Sequence, residues 1–578
     1  MVGLRKQFVQ SITMAHQIMK INDIVTNHAS SIAFVFAGAI VMFFIFSPAI
    51  HISFYNGDAY RYVFGGFGQS CKSDDGFEFM LTLGRPLQAY LDCFVYKFAY
   101  TLERMKVIRL LSVVLMGCTM GMFAEWLYRL GMSVWVAFFA AGCLFLVPHL
   151  YEDAVLAGAL SLPVALLFTQ IAYRYLQITA SKPMTGVSAK AVIASAQTFF
   201  AGRGHSSFMW SRSLWPAIFI MLALLTYPAM AFFFCALILT KLMFSNLSDW
   251  VHIRKEIFQE LLLFSVVCVI YFILAYLNMR FHPLAPVPSQ YQLNHPNLSI
   301  AEVIHRLSYL ANVFGQQWEM MRLYPGNWQG WVMIGVFLSG ILFATVKLIK
   351  HPCSYTDLAQ GLTVFFILMI MSSGFFLVIP SGEPPIMLRF LFGTIAFGFI
   401  VMLWSIKQWD VIYPFALKKP IISSIVAVIF LMESYQASVH TFVSARAVQQ
   451  YMSFAVQKIS DYVVNVDKLQ RIHFILAEQD YPYTKFFMTK EILNILGHED
   501  YQLQWCSLPR GMSGKEEDYQ PEAIACVNRT PENGIAITYS YPKELFIKTE
   551  KMLIVDMQKV TIDNYRQQNL RKYFNIEI

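Results

Sequence analysis

Long, continuous apolar runs dominate this chain, and their lengths indicate helices that cross a membrane. Several runs approach or exceed the ~20 residues that span the hydrocarbon core of a bilayer. The segment 85–106 is different, because it is apolar on one face and charged on the other; it predicts an interfacial helix, with a twelfth span as the alternative. The pattern predicts eleven spans, at residues 30–50, 107–128, 132–150, 154–176, 213–226, 227–244, 258–278, 330–349, 359–380, 388–405 and 419–436.

The run 213–244 can be interpreted in two ways, as one long helix or as two short ones. Thr226-Tyr-Pro228 lies in its middle, and proline disrupts the hydrogen-bond ladder of a helix. If 213–244 is a single helix, every loop after it lies on the opposite side of the membrane from the side that two helices would give. We favour two helices, because the lysines at 347, 350, 407, 418 and 419 then fall on the same side as the N-terminus.

Composition and charge agree with a membrane protein whose N-terminus faces the cytoplasm. The 578 residues are 57% hydrophobic and 14% charged, whereas a soluble domain carries about 25% charged residues. The predicted inside loop 177–212 contains Lys182, Lys190, Arg203 and Arg212 and no acid, as the positive-inside rule expects. The net charge of +8 is not accompanied by a basic aromatic surface, so we expect no nucleic-acid partner.

The loop that follows the first span is the richest candidate site. It contains Asp58, Arg61, the pair Asp74 and Asp75, and Arg85 in Leu-Gly-Arg-Pro. A carboxylate can accept a proton as a general base, and an arginine can hold a phosphate through two parallel hydrogen bonds. Each of these residues also has a purely structural interpretation. Asp58 can be an N-cap, the aspartate pair can be ordinary loop residues, and Arg85 can lie among lipid headgroups.

Two further predicted outside loops contribute charged residues on the same side. Glu152 and Asp153 lie between the third and fourth spans, where acids also suit a helix dipole. Glu383 and Arg389 flank a proline-rich turn, and Arg389 either binds a phosphate or extends to the interface. Glu125 and Glu260 fall within spans, and we expect solvation near the cytoplasmic ends to account for them.

The C-terminal region after residue 436 is less apolar, and it predicts a small α/β domain outside the membrane. A helix continues from the last span over 444–462, strand patterns lie at 471–477, 534–539 and 552–555, and 491–496 indicates a helix. Cys71 with Cys93, and Cys506 with Cys526, could form disulfides if both regions face an oxidising compartment. We therefore divide the chain into an amphipathic segment 1–29, a membrane domain 30–436 and a C-terminal domain 437–578.

These motifs resemble those of the GT-C superfamily of integral-membrane glycosyltransferases, most closely the serotype-converting, often phage-encoded O-antigen glucosyltransferases. The resemblance rests on Asn56-Gly-Asp-Ala-Tyr-Arg61, Leu83-Gly-Arg-Pro86 and Pro148-His-Leu-Tyr-Glu-Asp153, and it covers mainly residues 30–180. The family often has two consecutive acids in the first motif, whereas the second position here is Ala59. Asp58 must then act alone, or Asp74 and Asp75 must supply its partner.

The resemblance implies an inverting transferase that moves a sugar, glucose above all, from a polyprenyl phosphate to lipopolysaccharide O-antigen or another surface glycan. It implies a multi-pass protein of the bacterial inner membrane, with a periplasmic C-terminal domain. Expected partners are the lipid-linked sugar, the glycan acceptor, the bilayer, a donor-synthesising transferase and a flippase. The resemblance leaves the question of a cofactor open, and a divalent cation is compatible with the aspartates. Alternatives are an O-antigen polymerase or ligase, and a lipid-linked sugar transporter without chemistry.

Within this scheme the candidate residues divide into two groups. Metal ligands are not assigned. The catalytic candidates are Asp58, Asp75 and Asp153, and the substrate-binding candidates are Arg61, Asp74, Arg85, Glu152, Glu383 and Arg389.

Overall fold

A computed structural model describes most of the predicted helices and part of the C-terminal region. At several helix ends, and in the strands, it describes the backbone only. The described residues are 30–54, 77, 80–81, 84–99, 101–156, 159–180, 206–244, 250–281, 328–350, 355–374, 392–408, 415–463, 471–477, 502–508, 535–537, 552–556 and 561–575.

Helices make up most of the described chain, and a helix lies at each of the eleven predicted spans. We number them α1 to α15 in chain order; π-helical turns at Glu152–Leu156 and Leu570–Phe574 follow α5 and α15. The helices are Ser30–Ile50, Pro86–Phe98, Leu102–Arg129, Val134–Phe145, Pro148–Tyr151, Ser161–Ala180, Ser206–Thr226, Pro228–Ala231, Phe233–Phe244, Trp250–Phe281, Trp328–Lys350, Tyr355–Ser372, Phe392–Gln408, Phe415–Val463 and Ile562–Asn569.

Five of the described helices have segments long and apolar enough to cross a membrane by length and composition: Ser30–Ile50, Glu103–Arg129, His252–Asn278, Tyr355–Ser372 and Ile421–Phe454. Shorter apolar helices, among them α4 and α13, accompany them. The fold is therefore that of a polytopic helical membrane protein, as predicted, whereas crossing by all eleven helices stays a prediction.

Glycines allow α1 and α3 to pack with their backbones in direct contact. Gly117 and Gly121 are four residues apart on α3, the small-residue spacing that lets membrane helices approach closely. A Cβ added to Gly117 would lie 2.5 Å from Ala39 Cα, and one added to Gly121 would lie 2.7 Å from Val35 Cα. Any larger side chain at these positions must therefore separate the two helices.

The two ends of the bundle can be told apart from these antiparallel contacts. We call the end at which α1 ends the upper end. There, the Arg109 guanidinium of α3 donates hydrogen bonds to the backbone oxygens of Ile52, at 3.2 Å, and Phe54. The turn after α4 lies at the same end, since the rings of Phe46 and Tyr151 are 5.6 Å apart.

Helix α10 connects the lower end to the upper end. Near its start, Glu260 accepts hydrogen bonds from Lys241 at 3.0 Å and from Gln177 at 2.9 Å, close to the ends of α9 and α6. Near its C-terminal end, Asn278 donates to the backbone oxygen of Leu81 at 3.1 Å. This contact attaches the segment before Arg85 to the upper end of α10.

The chain breaks at Tyr227, as favoured from the sequence. Helix α7 ends at Thr226, and Pro228 occupies the first turn of the short α8. Helix α9 then runs to the lower end, where Lys241 pairs with Glu260. The prediction of two helices in 213–244 is confirmed.

The expected solvation of Glu125 and Glu260 is wrong. Their side chains are only 1% and 6% exposed, and both are ion-paired. Glu125 pairs with Arg129 and Arg174 and accepts a hydrogen bond from Ser31 at 2.8 Å, which joins α1, α3 and α6. A buried carboxylate needs such partners because desolvation is costly.

The C-terminal region contains a small parallel sheet, with strands β1 Arg471–Ala477, β2 Gln502–Leu508, β3 Ile535–Ile537 and β4 Met552–Asp556. The strand order is β2-β1-β4-β3, and Arg471 pairs with Gln502 on one side and Met552 on the other. Strands β1, β3 and β4 were predicted, whereas β2 was not. The predicted helix 491–496 lies outside the described residues.

The last helices attach this region to the membrane bundle. Helix α14 runs unbroken for 49 residues, from Phe415 to Val463, which confirms the predicted continuation beyond the last span. Leu570, in the π-helical turn after α15, packs against Val439 and Val443 of α14, and Asn569 of α15 donates to Gln450 at 2.9 Å.

Candidate functional site

The structure describes only part of the predicted site. Arg85 and Glu152 are described with their side chains, and Asp153 is described as backbone in a π-helical turn. The others, Asp58, Arg61, Asp74, Asp75, Glu383 and Arg389, lie outside the described residues.

Gly84, Arg85 and Pro86 of the Leu-Gly-Arg-Pro motif are described, and they lead directly into helix α2. Gly84 has φ of +71°, a conformation that glycine adopts at no steric cost. The N–H groups of Gly84 and Arg85 donate to the oxygens of Leu81 at 2.9 Å and Met80 at 3.0 Å, which is the Schellman pattern that ends a helix. Pro86 then opens α2 at a position where its missing N–H costs nothing. The motif therefore has a structural reason besides any chemistry of Arg85.

Arg85 begins a polar row on the buried face of α2. It is 5% exposed, and its guanidinium carbon lies 4.3 Å from the centre of the Tyr227 ring. Its Nη1 donates to Gln88 Oε1 at 3.4 Å, and Gln88 Nε2 donates to Asp92 Oδ2 at 3.1 Å. Tyr271 donates to the oxygen of Gly84 at 2.9 Å, which holds the row against α10.

Asp92 was missed by the sequence reasoning. Burial raises its pKa from 3.8 to about 7, while the hydrogen bond from Gln88 and the charge of Arg85 act in the opposite direction. Titratable groups with strongly shifted pKa values are enriched at functional sites. A usable signal existed, since positions 85, 88 and 92 follow the spacing of one helix face.

The opposite face of α2 is apolar and exposed. Tyr90, Phe94 and Phe98 are 63%, 75% and 45% exposed. Aromatic side chains of this kind are enriched at the membrane–water interface. This arrangement is consistent with the predicted interfacial helix, whose polar face is turned towards the bundle.

Glu152 belongs to a second polar cluster, which follows α4. Its carboxylate Oε1 lies 3.5 Å from His440 Nε2 of α14, and the other ring nitrogen, Nδ1, lies 2.9 Å from the Tyr151 hydroxyl. The Tyr151 side chain is fully buried, whereas that of Glu152 is 39% exposed. Glu152 is therefore accessible, while His440 and the Tyr151 that contacts it are enclosed.

His440 was also missed, as was the polar face of α14 to which it belongs. Glu433, Gln436, His440 and Ser444 follow helical spacing, and each is at most 6% exposed. Glu433 Oε2, Gln436 Oε1 and Ser444 Oγ have no hydrogen-bond partner within the described part of the chain. A polar stripe on an apolar helix is the signal that could have found this face.

The two clusters lie at the same end of the bundle. Ser112, in the upper half of α3, donates to the oxygen of Ala159 just after the Glu152 turn, at 3.4 Å. Arg85 lies at the same end because Tyr271 and Asn278, in the upper half of α10, hold its segment. The Arg85 cluster thus contacts α10, whereas the Glu152 cluster contacts α14.

A metal site is not formed by the residues that the structure describes, since no three of their histidine, cysteine, aspartate or glutamate side chains converge. A divalent cation at Asp74 and Asp75 stays a prediction on residues outside this set.

Comparison with known proteins adds little to this description. No family model matches the chain, and no curated protein matches it either. Among solved structures the chain is similar to the archaeal oligosaccharyltransferase AglB from Archaeoglobus fulgidus, in complex with an inhibitory peptide and a dolichol-phosphate, at 12% identity and a TM-score of 0.37. The match covers 82% of this chain, which spans 64% of the length of that protein's chain.

The class of the protein follows from its own helices, which make it a polytopic helical membrane protein. Its candidate site is a pair of polar clusters, around Arg85 and Glu152, at one end of the helix bundle.

Proposed function

We propose that the protein is an inverting GT-C-type glycosyltransferase that moves a sugar from a polyprenyl phosphate to a hydroxyl of a surface glycan. One observation carries the proposal: the described candidates, Arg85 and Glu152, lie at the end of the bundle at which α1 ends. Arg109 holds the chain there at Phe54, four residues before Asp58. A chain of four residues reaches about 14 Å at most, and on this ground we include Asp58 in the proposed site.

The proposed reaction needs two kinds of group, and the candidates provide both. The glycan hydroxyl attacks the anomeric carbon, the bond from that carbon to the phosphate oxygen breaks, and the configuration inverts. Asp58 accepts the hydroxyl proton as general base. Arg85, with Arg389, stabilises the negative charge on the departing polyprenyl phosphate.

A disulfide supports placing this end outside the cytoplasm. Cys93, in α2 beside the Arg85 row, is disulfide-bonded, and the sequence favours Cys71, outside the described residues, as its partner. Disulfides persist in oxidising compartments such as the periplasm and are rare in the cytosol. We therefore assign the upper end, and with it the C-terminal domain, to the periplasmic side of a bacterial inner membrane.

The choice of sugar and acceptor follows from the resemblance of the motifs to those of serotype-converting O-antigen glucosyltransferases. We propose glucose as the sugar and lipopolysaccharide O-antigen as the acceptor. Linkage analysis of the surface polysaccharide, from cells with and without the protein, tests both. A transporter would leave the glycan mass unchanged, whereas a transferase adds one hexose per modified unit.

The base is tested with purified protein in nanodiscs, radiolabelled polyprenyl-phosphate glucose and isolated O-antigen. Asp58→Asn should lower the turnover at least a hundredfold, because the amide does not accept the proton. Asp563→Asn is the matched control, since Asp563 is an exposed acid that pairs with Arg566 on α15. Wild-type turnover in the Asp58 variant would remove this residue from the mechanism.

A further inference from the structure

The two neighbours of the His440 ring indicate how it carries its protons. The Tyr151 hydroxyl lies 2.9 Å from Nδ1, and the Glu152 carboxylate lies 3.5 Å from Nε2. A bare Nε2 lone pair facing a carboxylate would be repulsive, so we infer that Nε2 carries a hydrogen. In the neutral ring Nδ1 is then an acceptor, a role that the Tyr151 hydroxyl can satisfy as donor.

Burial decides which member of this chain can meet a substrate. Tyr151 is fully enclosed and the His440 side chain is 6% exposed, whereas the Glu152 side chain is 39% exposed. The enclosed pair is fixed on two sides: α14 provides His440, and the Phe46 ring of α1 packs on Tyr151. A fixed donor behind an accessible carboxylate orients the carboxylate outwards.

The surrounding chemistry favours a hydroxyl-bearing ligand over a phosphate. Glu152 is an accessible acid that accepts hydrogen bonds, whereas Glu433 and Gln436 of α14 are enclosed, at 6% and 2% exposed. A ligand that suits the Glu152 carboxylate donates hydrogen bonds, as sugar hydroxyls do, while an anion would be repelled.

We propose that His440, set by Tyr151, is a positioning residue that holds Glu152 for the hydroxyl groups of the acceptor glycan. The inference rests on the proposed function, and it names the part of the site that binds the acceptor. In this scheme Arg85 and Arg389 bind the phosphate of the donor, so the donor and the acceptor are bound by different clusters. A change at His440 therefore alters the acceptor step and leaves donor binding intact.

The test measures acceptor and donor KM separately in the nanodisc assay. His440→Ala should raise the acceptor KM about tenfold and leave the donor KM within twofold of wild type. His440→Gln should recover most of the affinity, because its side-chain N–H can take the place of Nε2–H. Tyr151→Phe keeps the ring packing and should raise the acceptor KM only a few-fold. Equal changes in both KM values, or failure of the Gln variant to recover, would assign His440 to packing and overturn the proposal.

A second measurement separates this inference from the proposed function. Histidine ¹⁵N spectra of the full chain, with His440 assigned by comparison with His440→Gln, report its tautomer without any activity. Glu152→Gln should shift the His440 Nε2 resonance. If wild type transfers no sugar, the proposed function fails, and this spectrum alone decides whether His440 positions Glu152. An unchanged resonance overturns the positioning in either case.

Discussion

Asp92→Asn should remove a pH-dependent loss of stability that the buried Arg85–Gln88–Asp92 row imposes on the protein. Asp92 is 4% exposed, and burial raises its pKa from 3.8 to about 7. Each pKa unit corresponds to 1.36 kcal/mol, so a shift of roughly three units corresponds to about 4 kcal/mol. This amount is the cost of ionising the carboxyl in the folded protein.

The sign follows from which state binds the proton. Between about pH 4 and pH 7 the folded protein keeps the Asp92 proton, whereas the unfolded chain has released it. The contribution of Asp92 to the free energy of unfolding therefore falls as the pH rises through this window, and it is lowest above pH 7. Asparagine is neutral throughout and still accepts the hydrogen bond from Gln88, so the variant lacks this loss.

The assay is thermal unfolding of wild type and Asp92→Asn in the same detergent, from pH 4 to pH 8. Their melting temperatures should agree near pH 4, and the variant should melt higher at pH 8. Because the two proteins share all other titrating groups, the difference isolates Asp92. Asp563→Asn, at an exposed position on α15, serves as the control. Parallel curves for wild type and Asp92→Asn would refute the reasoning.

Three other substitutions test the packing, the buried charge and the compartment. Gly121→Ala should lower the melting temperature, because the new Cβ would lie 2.7 Å from Val35 Cα of α1. Overpacking of this kind destabilises a protein by about 1–3 kcal/mol. Gly335→Ala is the control, because its new Cβ would meet no atom within 4 Å. Glu125→Gln removes the buried carboxylate that pairs with two partly exposed arginines, Arg129 and Arg174, and should destabilise the protein by about 1.5–3 kcal/mol in chemical unfolding. Glu103→Gln, at a 73% exposed side chain, should change the stability little, and equal effects would argue against a role for the buried carboxylate. Cys93→Ser should reduce the difference in gel migration between reduced and unreduced protein, and an unchanged difference would contradict the disulfide.

The positions of the membrane helices were predictable because each apolar run must satisfy its backbone hydrogen bonds internally. The break at Pro228 was predictable for a local reason, the missing N–H of proline. Strands β1 and β4 also follow from short apolar runs of β-branched residues. Strand β2 contains glutamines and a tryptophan and lacks that pattern, so only its pairing with β1 reveals it.

The sequence predicted candidate site residues only where a charged side chain falls in a loop or at a helix end beside a predicted span, as Arg85 and Glu152 do. His440 could not be connected to Tyr151 from the sequence, because 289 positions separate them and only helix packing brings them together. Glu125 was misjudged for the same reason: its main partner on another helix, Arg174, is 49 positions away. The position of Glu125 near a helix end suggested that water solvates its carboxylate, whereas in the folded protein arginines pair with it.

The two polar clusters are anchored to different helices, and this separation has a consequence for the proposed reaction. The Arg85 row is held by Tyr271 of α10, while Glu152 is held by His440 of α14. Phe145 of α4, the helix that precedes Glu152, packs on Phe233 of α9, with ring centroids 6.3 Å apart. Because close-packed interiors transmit strain, we expect a change in this packing to alter the spacing of the two clusters. A sugar transfer needs its reactants aligned within a few tenths of an ångström, so under the proposed function the apolar centre of the bundle sets the geometry of the reaction.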